Sequence, residues 1–163
     1  MKRSLLLVAI LSMVTVRPAP AAATAPSQAI ADPAVRELVR LVNQHRVSIG
    51  CRPLRWNARL ARVAQRHSED MARRGFFSHV NPDGLDPFER MEHASLDFSR
   101  AAENIAAGQT TAREVFSGWM ASGRHRANLE ACALTEHGIG HYDHQWTHDF
   151  MTPRSSPHPR RFR

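Results

Sequence analysis

Apolar residues recur at helical spacing through the first half of the chain. The pattern that starts after Asp32, a plausible cap, predicts a helix that ends at Gly50. A second helix is predicted between the cap residue Asn57 and Gly75. The residues of its inner stripe are Leu60, Val63, Ala64, His67 and Met71.

Two shorter helices are predicted from their capping residues. Asp86 caps a short helix over residues 87–91. Thr111 and Glu114 form a capping box in front of a helix over residues 112–121.

The end of the chain alternates apolar and polar residues. This alternation predicts strands over residues 138–142 and 146–150, joined by a turn at residues 143–144. Residues 95–108 follow neither period, so we expect them to be irregular or extended. Helices come first and strands last, an order that is typical of an α+β domain.

The first residues are typical of a secretory signal peptide. Lys2 and Arg3 precede an apolar run of about 12 residues, too short to span about 30 Å of hydrocarbon, and an Ala-x-Ala step ends at Ala23. The alternatives are a short membrane anchor and a buried core helix. We therefore expect a secreted or periplasmic protein with no transmembrane segment after signal removal. Its expected parts are a signal peptide (1–23), a linker (24–31), a folded domain (32–153) and a basic disordered tail (154–163).

Net charge argues against a nucleic-acid-binding domain. The formal charge of +7 includes three basic residues of the predicted signal peptide, which leaves +4 on the mature chain. That excess corresponds to four arginines of the tail, so residues 24–153 are close to neutral and do not indicate nucleic acid as a partner. The tail is expected to be solvated, and the alternative is a weak attraction to anionic envelope surfaces that salt would remove.

Export also bears on the two cysteines, Cys51 and Cys132. An oxidising compartment predicts a disulfide between them. It would close a loop of about 80 residues and constrain the unfolded chain by about 4 kcal/mol. The alternative is a catalytic thiol near His125, which oxidation outside the cell would threaten.

Three short segments with small or turn-forming residues carry side chains suited to chemistry. They supply His79, Glu103 and His125. Two imidazoles and a carboxylate from separate loops are able to hold a divalent ion, relay a proton or orient a ligand.

The segments around these residues resemble the CAP superfamily of cysteine-rich secretory, antigen 5 and pathogenesis-related class 1 proteins. The resemblance covers about residues 38–150 and is strongest to the small exported bacterial members. The matching segments are LVNQHR (41–46), PLRWN (53–57), FSH (77–79), ENIA (103–106), WMASGRHRANL (119–129) and GIG (138–140).

The resemblance implies an α/β/α sandwich with a small antiparallel sheet between helical layers. In eukaryotic relatives it also implies a cleft lined by two histidines and two acidic residues. His79 and Glu103 match the first histidine and the first acid, whereas Ser122 and Gln145 occupy the positions of the other two. His125 belongs instead to the Ser-x-x-His-Arg-x-Asn pattern of bacterial members.

These departures leave two interpretations of the trio of His79, Glu103 and His125. The three side chains and a water molecule are an adequate set of ligands for Zn²⁺. The alternative is a hydrogen-bonded network without metal that holds the loops together. Glu136 is a further candidate to replace the missing acid.

The remaining histidines also have two interpretations each. His67 is expected to be a partly buried histidine with a backbone partner, and the alternative is a ligand. The last hairpin contains four histidines and two aspartates, which form either a solvated or half-buried hairpin or a surface metal patch. These six residues are His137, His141, Asp143, His144, His148 and Asp149.

Three functions compete. The resemblance favours a monomeric, non-catalytic module that binds a lipid, a peptide or a cell-envelope ligand in the cleft. The second is a hydrolase, a protease or esterase that depends on zinc or on a histidine base, with Ser78 or Ser122 as nucleophile. The third is a structural or self-associating protein whose cleft is vestigial.

Overall fold

A computed structural model describes residues 30–154. The predicted signal peptide, most of the linker and nearly all of the tail lie outside these residues. Arg154, the first residue of the predicted tail, donates from Nε to the Asp97 carboxylate at 2.8 Å. No helix within residues 30–154 is long and apolar enough to cross a bilayer.

Five helices and four strands make up the described part of the chain, and the fold class is therefore α+β as predicted. The helices are α1 (Pro33–Ser48), α2 (Ala58–Arg74), α3 (Pro87–His93), α4 (Ala112–Ala121) and α5 (Gly123–Glu130). The strands are β1 (Arg55–Trp56), β2 (Phe98–Ala107), β3 (Glu136–Tyr142) and β4 (Gln145–Pro153).

The capping residues read from the sequence do begin the helices. Asp32 accepts from the backbone of Ala34 at 2.7 Å at the start of α1. Asn57 does the same for Leu60 at 3.0 Å in α2. Helices α3 and α4 both begin with a complete capping box, and α2 ends at Gly75 in the left-handed region, φ 67°.

The sheet has the order β1-β3-β4-β2. The β3–β4 hairpin and the β2–β4 pair are antiparallel, but the two-residue β1 pairs parallel with β3, so the sheet is mixed. Residues 98–107, within the segment expected to be irregular or extended, form the edge strand β2. Their predominantly small residues do not alternate in hydrophobicity, which is why the sequence pattern did not indicate a strand.

Helices cover both faces of this sheet, which confirms the sandwich. One face carries the main core, where α1 and α4 pack on β3 and β4 through residues such as Leu38, Trp119, Ile139 and Phe150. The other face packs against α2 and α3 around Leu60, Met91 and Met151.

Two glycines of β3 allow α2 to lie directly on the sheet. A Cβ atom at Gly138 would stand 2.1 Å from the Ala61 nitrogen, and one at Gly140 would stand 2.3 Å from the Ala64 carbonyl carbon. A hydrogen bond stabilises this contact between α2 and β3, because the Ser68 hydroxyl donates to Gly140 O at 3.2 Å. This close approach fixes where the loop after α2 begins.

The disulfide prediction is confirmed, since Cys51 and Cys132 are bonded and the catalytic-thiol alternative is excluded. Arg46, which is fully buried, reinforces the same junction. Its guanidinium donates to the carbonyls of Arg52 at 3.1 Å, Leu129 at 2.8 Å and Leu134 at 3.0 Å. The end of α1 and the segment after α5 are therefore held by one covalent bond and a fork of hydrogen bonds.

The hairpin histidines do not form the surface metal patch. The half-buried hairpin is confirmed for His141, which is half-buried, and for Asp143 and His144, which are exposed. It is wrong for His137 and His148, which are completely buried and share a 3.0 Å contact between Nδ1 and Nε2. His141 binds Asp32 at 2.9 Å and stacks on Trp146 with 3.8 Å between ring centroids. The buried pair fills the core under α1 and α4, which a two-residue period alone does not reveal.

Candidate functional site

The centre of the candidate site is a three-residue network at the edge strand β2. Glu103 is buried, and its Oε1 accepts from His79 Nδ1 at 2.7 Å. Its Oε2 accepts from Arg90 Nη2 at 2.6 Å. Two of the three segments singled out in the sequence therefore converge, and an arginine that the sequence analysis missed joins them.

Three different elements hold the network in place. Glu103 stands on β2, and His79 lies in the loop after α2, where the Asn81 side chain closes a turn by accepting from Leu85 N at 2.9 Å. Arg90 of α3 ties that loop down, because its Nη1 donates to the carbonyls of His79 at 2.7 Å and Leu85 at 2.9 Å. One guanidinium thus orients both the His79 loop and the Glu103 carboxylate.

Charge balance keeps Glu103 ionised in spite of its burial. Burial alone would raise its pKa, but the hydrogen bond from His79 and the positive charge of Arg90 outweigh it, and the pKa of Glu103 is lowered. The His79 ring remains half-exposed, with 49% of its side chain accessible, because it lies on the solvent side of the carboxylate. The site is a buried anion with an exposed imidazole above it.

Asp149 is a second carboxyl beside this anion. It lies directly opposite Glu103 in the β2–β4 register and is fully buried. Burial and then the negative charge of Glu103 raise the pKa of Asp149 well above its ordinary value, which disfavours the ionised form of this carboxyl. An acidic residue inside a strand of buried residues is the signal in the sequence that marks it.

His67 has the structural role that was expected of it. Its ring is 1% exposed, and Nε2 lies 3.0 Å from the carbonyl oxygen of Ser78. Burial lowers its pKa, so the ring is neutral and Nε2 donates to the carbonyl. His67 therefore anchors the loop immediately before His79.

His125 contacts β2 through its backbone, from α5, and no hydrogen bond or ion pair within residues 30–154 joins its ring to His79 or Glu103. It lies in the first turn of α5, and its carbonyl accepts from Asn104 Nδ2 at 3.0 Å. Asn128, one turn further along α5, donates to the carbonyl of Glu103 at 3.3 Å. Partial burial and then the charge of His79 lower the pKa of His125.

The substitutes for the missing half of the tetrad lie elsewhere. Glu136 accepts from Arg55 and, at 2.7 Å, from Asn57, on a strand that β4 separates from β2. Gln145 is at the far end of β4, opposite Ala107, and Ser122 is the N-cap residue of α5. The acid directly across the sheet from Glu103 is Asp149 rather than any of these three.

The side chains of the site are poorly suited to zinc. Within the described range 30–154, no three His, Cys, Asp or Glu side chains are arranged to hold a metal ion. Both oxygens of Glu103 are engaged, and the Arg90 guanidinium lies where its charge repels a cation. The observed arrangement of His79, Glu103 and Arg90 therefore does not fit a Zn²⁺ centre. Zinc binding by the trio of His79, Glu103 and His125 stays a prediction from the sequence alone.

Comparison with known proteins identifies the family. The model of the cysteine-rich secretory protein family, CAP, matches residues 39–151. The chain therefore belongs to the CAP family, and the fold and the resemblance lead to the same class of protein.

Relatives come from bacteria. The uncharacterized protein YkwD of Bacillus subtilis (strain 168) is 34% identical over 118 residues, which are 71% of this chain and 46% of YkwD. The crystal structure of an extracellular SCP-domain protein of Bacillus anthracis superposes with a TM-score of 0.69 at 33% identity, over 71% of this chain and 39% of that one. The chain thus spans less than half the length of these two relatives.

A more distant structure shows the fold alone. An outer surface protein of Borrelia burgdorferi has a TM-score of 0.68 at 18% identity, over 74% of this chain and 92% of its own. The sandwich is therefore retained at low sequence identity.

Proposed function

We propose that this CAP domain is an exported, non-catalytic binding module. Its ligand is a lipid, a peptide or a cell-envelope fragment that contacts the exposed face of His79. The observation that carries the proposal is the saturation of Glu103, whose two oxygens already accept from His79 and Arg90. A carboxylate fixed in this way holds the His79 ring in one orientation, with its far side open to a ligand.

The surroundings of His79 suit a ligand with polar and apolar parts. Phe77 is 55% exposed and Val80 is 47% exposed, and they lie two residues before and one residue after His79 in the same loop. The Nδ1 atom faces Glu103, so Nε2 is on the side of the ring away from the carboxylate. A ligand hydroxyl, amide or carboxyl is thus able to hydrogen-bond to the ring while its apolar part lies on Phe77 and Val80.

Export is supported by the character of the relatives. The signal peptide is a prediction from residues 1–23, and the Bacillus anthracis structural neighbour at 33% identity is described as an extracellular protein. The confirmed disulfide is typical of an oxidising compartment.

The test is a titration of the ¹⁵N-labelled protein with two probes, sodium dodecanoate and a peptidoglycan disaccharide-pentapeptide. We expect at least one probe to shift the amide signals of residues 77–80. His79→Ala should remove this response, whereas His93→Gln, an exposed histidine on α3, should preserve it. Absence of any response to both probes, or an unchanged response in His79→Ala, would refute binding at this cleft.

One observation favours the hydrolase alternative. A half-exposed imidazole on a buried carboxylate is also the arrangement of a general base and its orienting group. Yet the hydroxyl of Ser78 accepts from Val80 N at 3.2 Å, and it is directed to its own loop. Turnover of p-nitrophenyl acetate or of casein that His79→Ala abolishes would establish catalysis, and elemental analysis with and without added zinc tests the metal.

A further inference from the structure

The near-neutral charge of residues 24–153 conceals a strongly basic region. Residues 52–68 contain five arginines and no acidic residue. Three of these arginines, Arg59, Arg62 and Arg66, lie on α2 at intervals of three and four residues, and all three are exposed. Such spacing places them in one row along the outer face of the helix, about 10 Å long.

Arg55 extends the row at the N-terminal end of α2. The Arg55 side chain is 74% exposed although it forms an ion pair with Glu136. Arg59 donates from Nη1 to the Ser95 carbonyl at 3.1 Å and forms no ion pair within residues 30–154. Arg62 and Arg66 enter no ion pair with any residue in the range 30–154. Arg62 and Arg66 are therefore not held in an ion pair, although Glu69 and Asp70 follow Arg66 by three and four residues on α2 and line a groove with it.

The surface beside the row is shaped rather than flat. Two open grooves of about 430 and 460 Å³ meet at Trp56, Ala58 and Arg62, one on each side of the start of α2. The large exposed apolar side chains of the described region line neither of these two grooves. Those side chains are Val47, Ile49, Phe77, Val80, Phe88 and Tyr142. A row of guanidinium groups without apolar anchors favours an extended polyanion over insertion into a bilayer.

From this row we infer a second binding surface, at which Arg55, Arg59, Arg62 and Arg66 hold a linear anionic polymer through its phosphate groups. Guanidinium groups bind phosphate in a bidentate manner and stay charged at any physiological pH. The surface lies on the outer face of α2, away from Glu103 on β2, and Arg66 alone of its four arginines also lines the groove that contains His67, Asn81 and Arg90. The net charge of residues 24–153, which is close to zero, does not predict this anionic polymer as a partner.

The test uses poly(glycerol phosphate) and the full mature protein, with binding measured by calorimetry against salt concentration. Four phosphate contacts on a flexible chain give a slope of log K against log salt of about −3. The double variant Arg62→Glu, Arg66→Glu should weaken binding at least about tenfold and reduce the slope to about −1. The matched control is Arg100→Glu with Arg124→Glu, the same charge change at exposed positions on β2 and α5, and it should lose less than about threefold.

Three results would overturn the inference. They are no binding by the unaltered protein, an equal loss in both double variants, or binding that Arg62 and Arg66 control on phosphatidylglycerol vesicles but not on the polymer. Failure of His79→Ala to affect polymer binding is expected, so the cleft and the α2 row are tested separately.

Discussion

Glu103 and Asp149 lie directly opposite each other on β2 and β4, both buried, yet their pKa values are shifted in opposite directions. Against its burial, the hydrogen bond from His79 and the charge of Arg90 lower the pKa of Glu103, whereas burial and then the negative charge of Glu103 raise the pKa of Asp149. The ionised form is therefore favoured on Glu103 and disfavoured on Asp149. Their amide variants should behave differently.

We expect Glu103→Gln to lower the free energy of unfolding by about 3 kcal/mol, because Arg90 is left buried without a counter-charge. Asp149→Asn keeps a neutral polar side chain of the same size and should cost at most about 1 kcal/mol. Urea unfolding at neutral pH measures both. Equal losses in the two variants would contradict the assignment of the charge to Glu103.

The buried histidine pair makes stability depend on pH. Burial and then the charge of Arg46 lower the pKa of His137 to about 3, and the pKa of His148 is also well below its ordinary value. The unfolded chain binds protons near pH 6.5 that the folded state does not accept, so stability is full above that pH and falls below it. The two rings should cost about 2 kcal/mol together between pH 6 and pH 5.

Unfolding followed across this range in His148→Gln should show about half of that decline. His93→Gln, the same exchange at an exposed position, should leave the decline unchanged. An imidazole signal of His148 that titrates near pH 6.5 in the folded protein would count against a buried neutral pair.

The close contact between α2 and β3 depends on glycine. Gly138→Ala would place a methyl group 2.1 Å from the Ala61 backbone, and we expect a loss of about 3 kcal/mol or more. Gly118→Ala is the control, because no atom lies within 4 Å of its Cβ position in α4. It should raise stability by about 0.5–1 kcal/mol, and thermal unfolding of the two variants decides the matter.

Removal of the disulfide should be costly because it spans 81 residues of sequence. Replacing Cys51 and Cys132 by serine is expected to lower the free energy of unfolding by about 4 kcal/mol. The unaltered protein in reducing agent should show a similar loss. Stability that is the same with and without the bond would show that the Arg46 fork alone holds the junction.

Much of the fold was predictable because its signals are local. Asp32, Asn57, Asp86 and Thr111 mark helix starts through hydrogen bonds to the next few residues, and the structure bears out each start. Strand β2 was expected only as an irregular or extended segment, since its residues owe their burial to neighbours distant in sequence. The same reason explains His137 and His148, whose polar type suggested solvent although α1 and α4 cover them.

The site was predictable in part. His79 and Glu103 stand among turn-forming or small residues and match motifs, so their meeting was expected. Arg90 and Asp149 join them through the docking of α3 and the register of β2 against β4, and no nearby residue indicates either relationship. The register between two strands depends on the packing of the whole sheet, so the pairing of Glu103 with Asp149 is not predicted from the residues next to either one.

Strand β2 is an edge of the sheet, and two of its carbonyl oxygens are already occupied by side chains. Glu103 O accepts from Asn128 at 3.3 Å and Ile105 O accepts from Trp119 Nε1 at 3.1 Å. A strand from another molecule would have to displace both donors before it could extend the sheet. Helices α4 and α5, which supply these donors, thus also protect the protein against polymerising through its open edge.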